Sequence, residues 1–168
     1  RPNELSQANS KHKDVIIHAL EFIKGRSREP DILVVLLANN VCIKKEWIDA
    51  CIKEIINDPS ITAVVPSVSD LDHHPYRAKK KDNAGFLVPF FDFGEEEISS
   101  NRQDIGDCFF LCHNFWVLNI KESIYTNNGQ PPWVFMGCRV KPYPIDWSID
   151  VHTKKDLIIS ENWIKANL

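Results

Sequence analysis

Pro30-Asp31-Ile32-Leu33-Val34-Val35-Leu36-Leu37 is a turn pair followed by six apolar residues in a row. A continuous apolar run of that length reads as a strand covered on both faces, the kind found inside parallel sheets. Around it the apolar spacing changes to a helical one. Residues 12–24 put Val15, Ile16, Ala19, Leu20 and Ile23 on one face, and Gly25 stops the pattern. Residues 44–57 do the same with Trp47, Ile48, Cys51, Ile52 and Ile55, and Pro59 ends that helix. Residues 62–68 form the next strand. The order helix, strand, helix, strand implies a βαβ unit in a three-layer α/β domain.

Residues 69–107 are rich in turn formers and carry two charge clusters, Lys79-Lys80-Lys81 and Glu95-Glu96-Glu97, which read as solvated loops. Within them Gly85-Phe86-Leu87-Val88-Pro89-Phe90-Phe91-Asp92-Phe93 looks like a hairpin strand that Pro89 confines to an edge. So apolar an excursion must be covered, either as an arm on a partner subunit or as a lid on its own core. Residues 108–118 form the most hydrophobic strand, interrupted by His113 and Asn114, which face opposite sides and read as hydrogen-bonded structure. A short helix at 121–125, a loop Asn127-Asn128-Gly129-Gln130-Pro131-Pro132, a strand at 138–145 and a closing helix at 153–166 complete the chain. No internal repeat is present.

The 168 residues suit one domain with a real core. A net charge of −3 gives no basic field for nucleic acid. No stretch approaches the ~18 apolar residues of a membrane span. Five cysteines, an odd number in apolar surroundings, point to reduced thiols in a cytoplasmic protein. The start, Arg1-Pro2-Asn3-Glu4-Leu5, is no signal peptide and lacks an initiator Met, so it reads as N-terminally incomplete.

Chemistry is most legible in Ser148-Ile149-Asp150-Val151-His152-Thr153-Lys154-Lys155-Asp156-Leu157. If this begins as a strand, Asp150 and His152 share a face, and Thr153 with Asp156 caps the helix that follows. Such a pair suits a metal–phosphate site; it equally suits a turn whose Asp only makes hydrogen bonds. Cys108, Cys112, His113, Cys138 and His152 make a poor zinc set: there is no C-x-x-C, and Cys108 and Cys112 on one strand would lie about 13 Å apart. No G-x-S-x-G, Walker A or G-x-G-x-x-G motif occurs, and the six glycines form no phosphate loop. In Asn101-Arg102-Gln103-Asp104 the guanidinium can hold a carboxylate or phosphate. It can equally pair with Asp104 or a neighbour. His73-His74-Pro75-Tyr76-Arg77 is a turn with two imidazoles and a guanidinium.

Taken in order, these pieces resemble the acylneuraminate cytidylyltransferase family, the CMP-sialic acid synthetases and their relatives. The carriers are Arg1-Pro2-Asn3-Glu4-Leu5, His18-Ala19-Leu20-Glu21, the strand that begins at Ile32, His74-Pro75, Gly85-Phe86-Leu87-Val88-Pro89, Asn101-Arg102-Gln103-Asp104 and Ser148-Ile149-Asp150. The resemblance implies a three-layer, nucleotidyltransferase-like (Rossmann-like) α/β sheet with a protruding β-arm at 70–107, all within one domain, 1–168. It implies transfer of CMP from CTP to an acidic sugar, with release of pyrophosphate, by a homodimer joined through the arm. Asp150 and His152 would be the metal ligands, Arg102 would grip the acceptor, and Asn39, Asn40, Gln103 and His74 would contact substrate. The chain departs from the family in four places. The family's CTP-binding loop lies before the R-P-x-x-L segment. Ala38-Asn39-Asn40-Val41-Cys42-Ile43-Lys44 replaces Q-P-T-S-P-L-R, and Cys112-His113 replaces an Asn-Gly. His152 stands for the second Asp of Asp-x-Asp, so the implied metal is Mg²⁺ held by one carboxylate and the triphosphate, or the softer Mn²⁺. A GT-A-type glycosyltransferase and a non-catalytic relative are the alternatives.

Overall fold

The computed structural model describes residues 2–26, 29–126 and 128–167. Arg1 of the R-P-x-x-L segment and Asn127 of the late loop lie outside them. The main sheet holds β1 (Ile32–Leu36), β2 (Ala63–Ser69), β5 (Phe109–Leu111), β6 (Phe115–Asn119) and β7 (Val140–Pro144). Antiparallel β6 separates β1 from β2, and β7 pairs with β2 in parallel. β1, β2 and β7 therefore run one way and β5 and β6 the other. Ala63 pairs with β6 and β7 and Ser67 with β5 and β7, so β5 and β6 share one side of β2.

The faces alternate with period two. Leu33, Val35, Ala63, Val65, Trp116 and Leu118 meet α1 (His12–Lys24) through Ile16 and Leu20. Ile32, Val34, Val64, Phe115 and Val117 meet α2 (Lys45–Asn57) through Cys51 and Ile55. On the α2 side, α3 (Lys154–Asn167) brings Trp163 to 5.9 Å from Trp47, with the Lys44 amine 5.5 Å from each ring. The three layers follow directly from these two helical stripes on a two-faced sheet.

Several expectations need correction. β1 is neither fully buried nor paired in parallel: among the described residues it pairs with antiparallel β6 alone, its first four residues are half-buried, and Leu36 is 59% exposed. The unbroken apolar run reflects helices above and below, which carry no information about the lateral partner. The βαβ unit exists, but with β6 inserted in it. The 108–118 strand is broken at Cys112–Asn114, where Asn114 turns inward to make hydrogen bonds; Cys112 N–H still donates to the Pro66 carbonyl at 2.7 Å. The 121–125 segment is a turn, with Ser123 N–H and Oγ both donating to the Asn119 carbonyl at 3.0 and 2.6 Å. The basic run Lys79–Lys81 is the strand β3, paired with β4 (Leu87–Pro89), its lysines exposed on a hairpin edge. The helix at the end is capped as expected: Thr153 Oγ1 accepts from Asp156 N–H at 3.3 Å, and the Asp156 carboxylate accepts from Thr153 N–H at 2.8 Å. Among the described residues no helix is long and apolar enough to cross a membrane.

Candidate active site

The shared direction of β1 and β7 brings three segments to one edge of the sheet: the loop leaving β1, the loop leaving β7 and the Cys112–Asn114 break before antiparallel β6. The carboxyl edge of an open α/β sheet is where ligands bind in this architecture. Here that edge holds a polar network. Asn40, 2% exposed, donates from Nδ2 to Ser148 Oγ (2.9 Å) and to Asp150 Oδ1 (3.1 Å), and its Oδ1 accepts from Cys42 N–H (3.3 Å). Ser148 Oγ donates to Asn114 Oδ1 at 2.8 Å, and Asn114 Nδ2 to the Cys42 carbonyl at 2.7 Å. Val151 N–H donates to the Asn39 carbonyl at 2.7 Å, tying the two loops together.

His113 faces the other carboxylate oxygen of Asp150, with Nδ1 3.1 Å from Oδ2. A carboxylate only accepts, so Nδ1 carries a proton, and in the neutral ring Nε2 is then the acceptor on the far side. The ring stands edge-on to Trp116 and Trp133, at 6.0 and 5.7 Å between centroids. The side chains of His113 and Asp150 are 36% and 24% exposed, so the pair is held by the fold yet open to a ligand. Trp133 also lines a cavity of about 250 Å³ together with Ser67, Leu111, Gln130 and Met136. Burial raises the thiols of Cys42 and Cys112 above their ordinary value, and the charge of Asp150 adds to the rise at Cys112, so both stay protonated.

Of the site residues expected from sequence, the structure joins Asn39, Asn40 and Asp150. His152 stands apart: residues 148–151 form no strand, so the shared strand face does not exist, and the His152 side chain is exposed while its N–H donates to Asp156 at 3.1 Å. His74 is buried in the arm, where Nδ1 accepts from Tyr76 N–H at 3.2 Å and caps the turn Pro75–Arg77. Arg102 and Gln103 lie on the exposed turn Arg102–Asp104. The Arg102 guanidinium pairs with Asp72 at 3.4 Å, whereas Asp104 is held by Ser99 and Asn101. Among the described residues no three His, Cys, Asp or Glu side chains converge on a metal position. Asp150 Oδ1 accepts from Asn40 and Oδ2 faces His113, so of the two expected metal ligands the carboxylate stands at this edge and His152 does not. The sequence marked His113 and Asn114 as hydrogen-bonded structure, which they are, but placed neither of them, nor Ser148, beside Asp150. Their signal was a polar doublet breaking the most apolar strand, with a hydroxyl two residues before the Asp.

No family model and no curated protein matches the sequence. Among solved structures, the fold is similar to that of CMP:2-keto-3-deoxy-manno-octonic acid synthetase complexed with CTP, with 9% identity and a TM-score of 0.59 over 96% of this chain and 70% of that chain. At that identity the likeness is one of architecture: the chain has a mixed α/β, nucleotidyltransferase-like fold.

Proposed function

We propose that this protein is a cytidylyltransferase that moves CMP from CTP to a hydroxyl of an acidic sugar and releases pyrophosphate. The observation that carries the reading is the fold likeness to a CTP-complexed CMP-sugar acid synthetase along 96% of the chain. The polar network at the carboxyl edge supports it, because that edge is where this architecture places its ligands. The acceptor oxygen attacks the α-phosphorus as pyrophosphate leaves, and the protein contributes mainly positioning and charge complementarity. The tied loops at Asn39–Asn40 and 148–151 supply rigid walls. Among the described residues Arg102 is held by an exposed ion pair of about 0–1 kcal/mol, so its guanidinium can exchange Asp72 for the acceptor carboxylate. All five cysteines are free, which suits a cytoplasmic enzyme.

The test is pyrophosphate release from CTP by the full protein with a panel of sugar acids, beginning with 2-keto-3-deoxy-manno-octonic acid. Sugar-dependent release is expected. Binding of CTP without turnover would mean a non-catalytic relative, and consumption of finished nucleotide sugars instead would mean a glycosyltransferase. Arg102→Ala should raise the acceptor KM by about tenfold or more while moving the CTP KM little, the loss of one charge-assisted hydrogen bond. An effect confined to CTP would remove Arg102 from the acceptor side.

The arm supports a homodimer. Its hairpin exposes Phe86, Leu87 and Phe90 by 71, 70 and 52%, with Phe91 beside them. So many adjacent large apolar side chains on a two-stranded sheet favour a protein partner over water. Light scattering at micromolar concentration should give twice the monomer mass, and Phe86→Glu with Phe90→Glu should return it to monomer. A wild-type monomer would sink the arm as a dimer contact.

A further inference from the structure

We infer that the hairpin arm of one subunit docks on the outer edge of β5 in a second copy of the chain. This rests on the homodimer reading above and adds to it the surface that receives the arm. β3 and β4 form a sheet of their own, separate from the main one. A two-stranded hairpin is marginal in water, so this one needs a surface to lie on. Among the described residues β5 pairs with β2 alone, which leaves its outer side open to a further strand. Phe109 and Phe110 point to opposite faces of that edge, and they are 43% and 38% exposed. A hairpin laid along the edge with Phe86, Leu87 and Phe90 covers aromatic surface on both partners.

The other margins of the main sheet suit the arm less. β7 carries Pro142 and Pro144, which have no N–H to give. β1 packs Ile32, Leu33, Val34 and Val35 under the helices and leaves only Leu36 exposed. Charge makes the same choice. Lys79, Lys80 and Lys81 are exposed along β3. The foot of β5 is acidic: exposed Asp107 precedes it, and Asp70 stands beside Cys108, with its N–H donating to the Cys108 carbonyl at 3.2 Å. Apolar burial supplies the affinity of such a contact, and the opposite charges steer it and set its register. With two-fold symmetry each copy gives one arm and receives one, so two identical contacts close the dimer.

The test uses the full protein. Light scattering of the wild type should give a dimer. Phe109→Glu with Phe110→Glu should raise its dissociation constant by about tenfold or more, while circular dichroism stays that of the folded chain. Lys79→Glu with Lys81→Glu should weaken the dimer, more so at low salt, and adding Asp107→Lys to the same chain should recover part of the loss. Cross-linking identifies the contact itself. Cys108 and Cys138, the two cysteines that are not buried, are first replaced as Cys108→Ser and Cys138→Ser. In that background a short bismaleimide should join a Leu87→Cys copy to a Phe110→Cys copy when the two are mixed, and should join neither variant to itself. A dimer undiminished by Phe109→Glu with Phe110→Glu would leave the homodimer reading standing and overturn β5 as the receiver. Self-cross-linking of Leu87→Cys would mean arm against arm, and a cross-link within one chain carrying both cysteines would mean a lid on its own sheet; either result overturns the proposal. A wild-type monomer would end the homodimer reading and this contact together.

Discussion

Trp116→Ala is expected to remove about 3–5 kcal/mol of stability, the usual cost of emptying a large aromatic from a core. Trp116 is 1% exposed on the α1 face of β6, and its ring contacts Phe135 at 5.5 Å, His12 at 5.4 Å and His113 at 6.0 Å. Few neighbours can collapse into the space, because β6 pairs on both sides, with β1 and β2. A domain has only about 5–15 kcal/mol in total, so the loss should lower Tm by roughly 6–20 °C at 2–4 °C per kcal/mol. Trp116→Phe should cost clearly less than the lost volume suggests. Among the described residues the buried indole Nε1 has no hydrogen-bond partner, and deleting an unsatisfied donor recovers about 1–3 kcal/mol. Urea denaturation of the two variants checks both points. Equal losses would mean that the indole N–H is satisfied in solution.

Gly137→Ala is expected to cost about 3 kcal/mol or more through two separate effects. Gly137 sits at φ 79°, ψ −166°, a region essentially reserved for glycine, where any other residue pays about 1–3 kcal/mol. A Cβ there would also stand 2.5 Å from the Thr62 Cβ and 2.7 Å from its Oγ1. Thr62 cannot yield freely, because its Oγ1 accepts from Arg139 N–H at 3.0 Å and its N–H donates to the Arg139 carbonyl at 3.1 Å. Those bonds begin the β2–β7 register, so the clash would push β7 away from the sheet and, with it, the loop carrying Ser148 and Asp150. Gly85→Ala is the control. Gly85 also has positive φ, at 89°, but a Cβ there would meet nothing within 4 Å. Gly85→Ala should therefore show the strain alone, and similar losses in the two variants would mean that Thr62 moves aside without cost.

The elements were largely legible because each depends on a short local pattern. The two amphipathic helices, the strand at 62–68 and the Thr153–Asp156 cap follow from spacing that survives in any tertiary context. Asp150 was legible as a polar side chain just before that cap. Its partners were not. His113 lies 37 residues away in sequence and Asn40 lies 110 away, and only the direction of β1, β6 and β7 brings them within hydrogen-bond distance. The pairing of Asp150 with His152 failed for the opposite reason. It assumed strand geometry at 148–152, whereas that segment is an irregular loop after β7, which Pro142 and Pro144 confine to a sheet edge.

Hydrophobic periodicity alone determined which residues face a core and hence the three layers, because a buried stripe must be covered whatever covers it. It could not say which strands lie side by side. Lateral pairing is made by backbone hydrogen bonds that every residue but proline offers alike. For that reason the antiparallel insertion of β6 between β1 and β2, and the meeting of Asp150 with His113 at the edge it creates, were decided only by the tertiary structure.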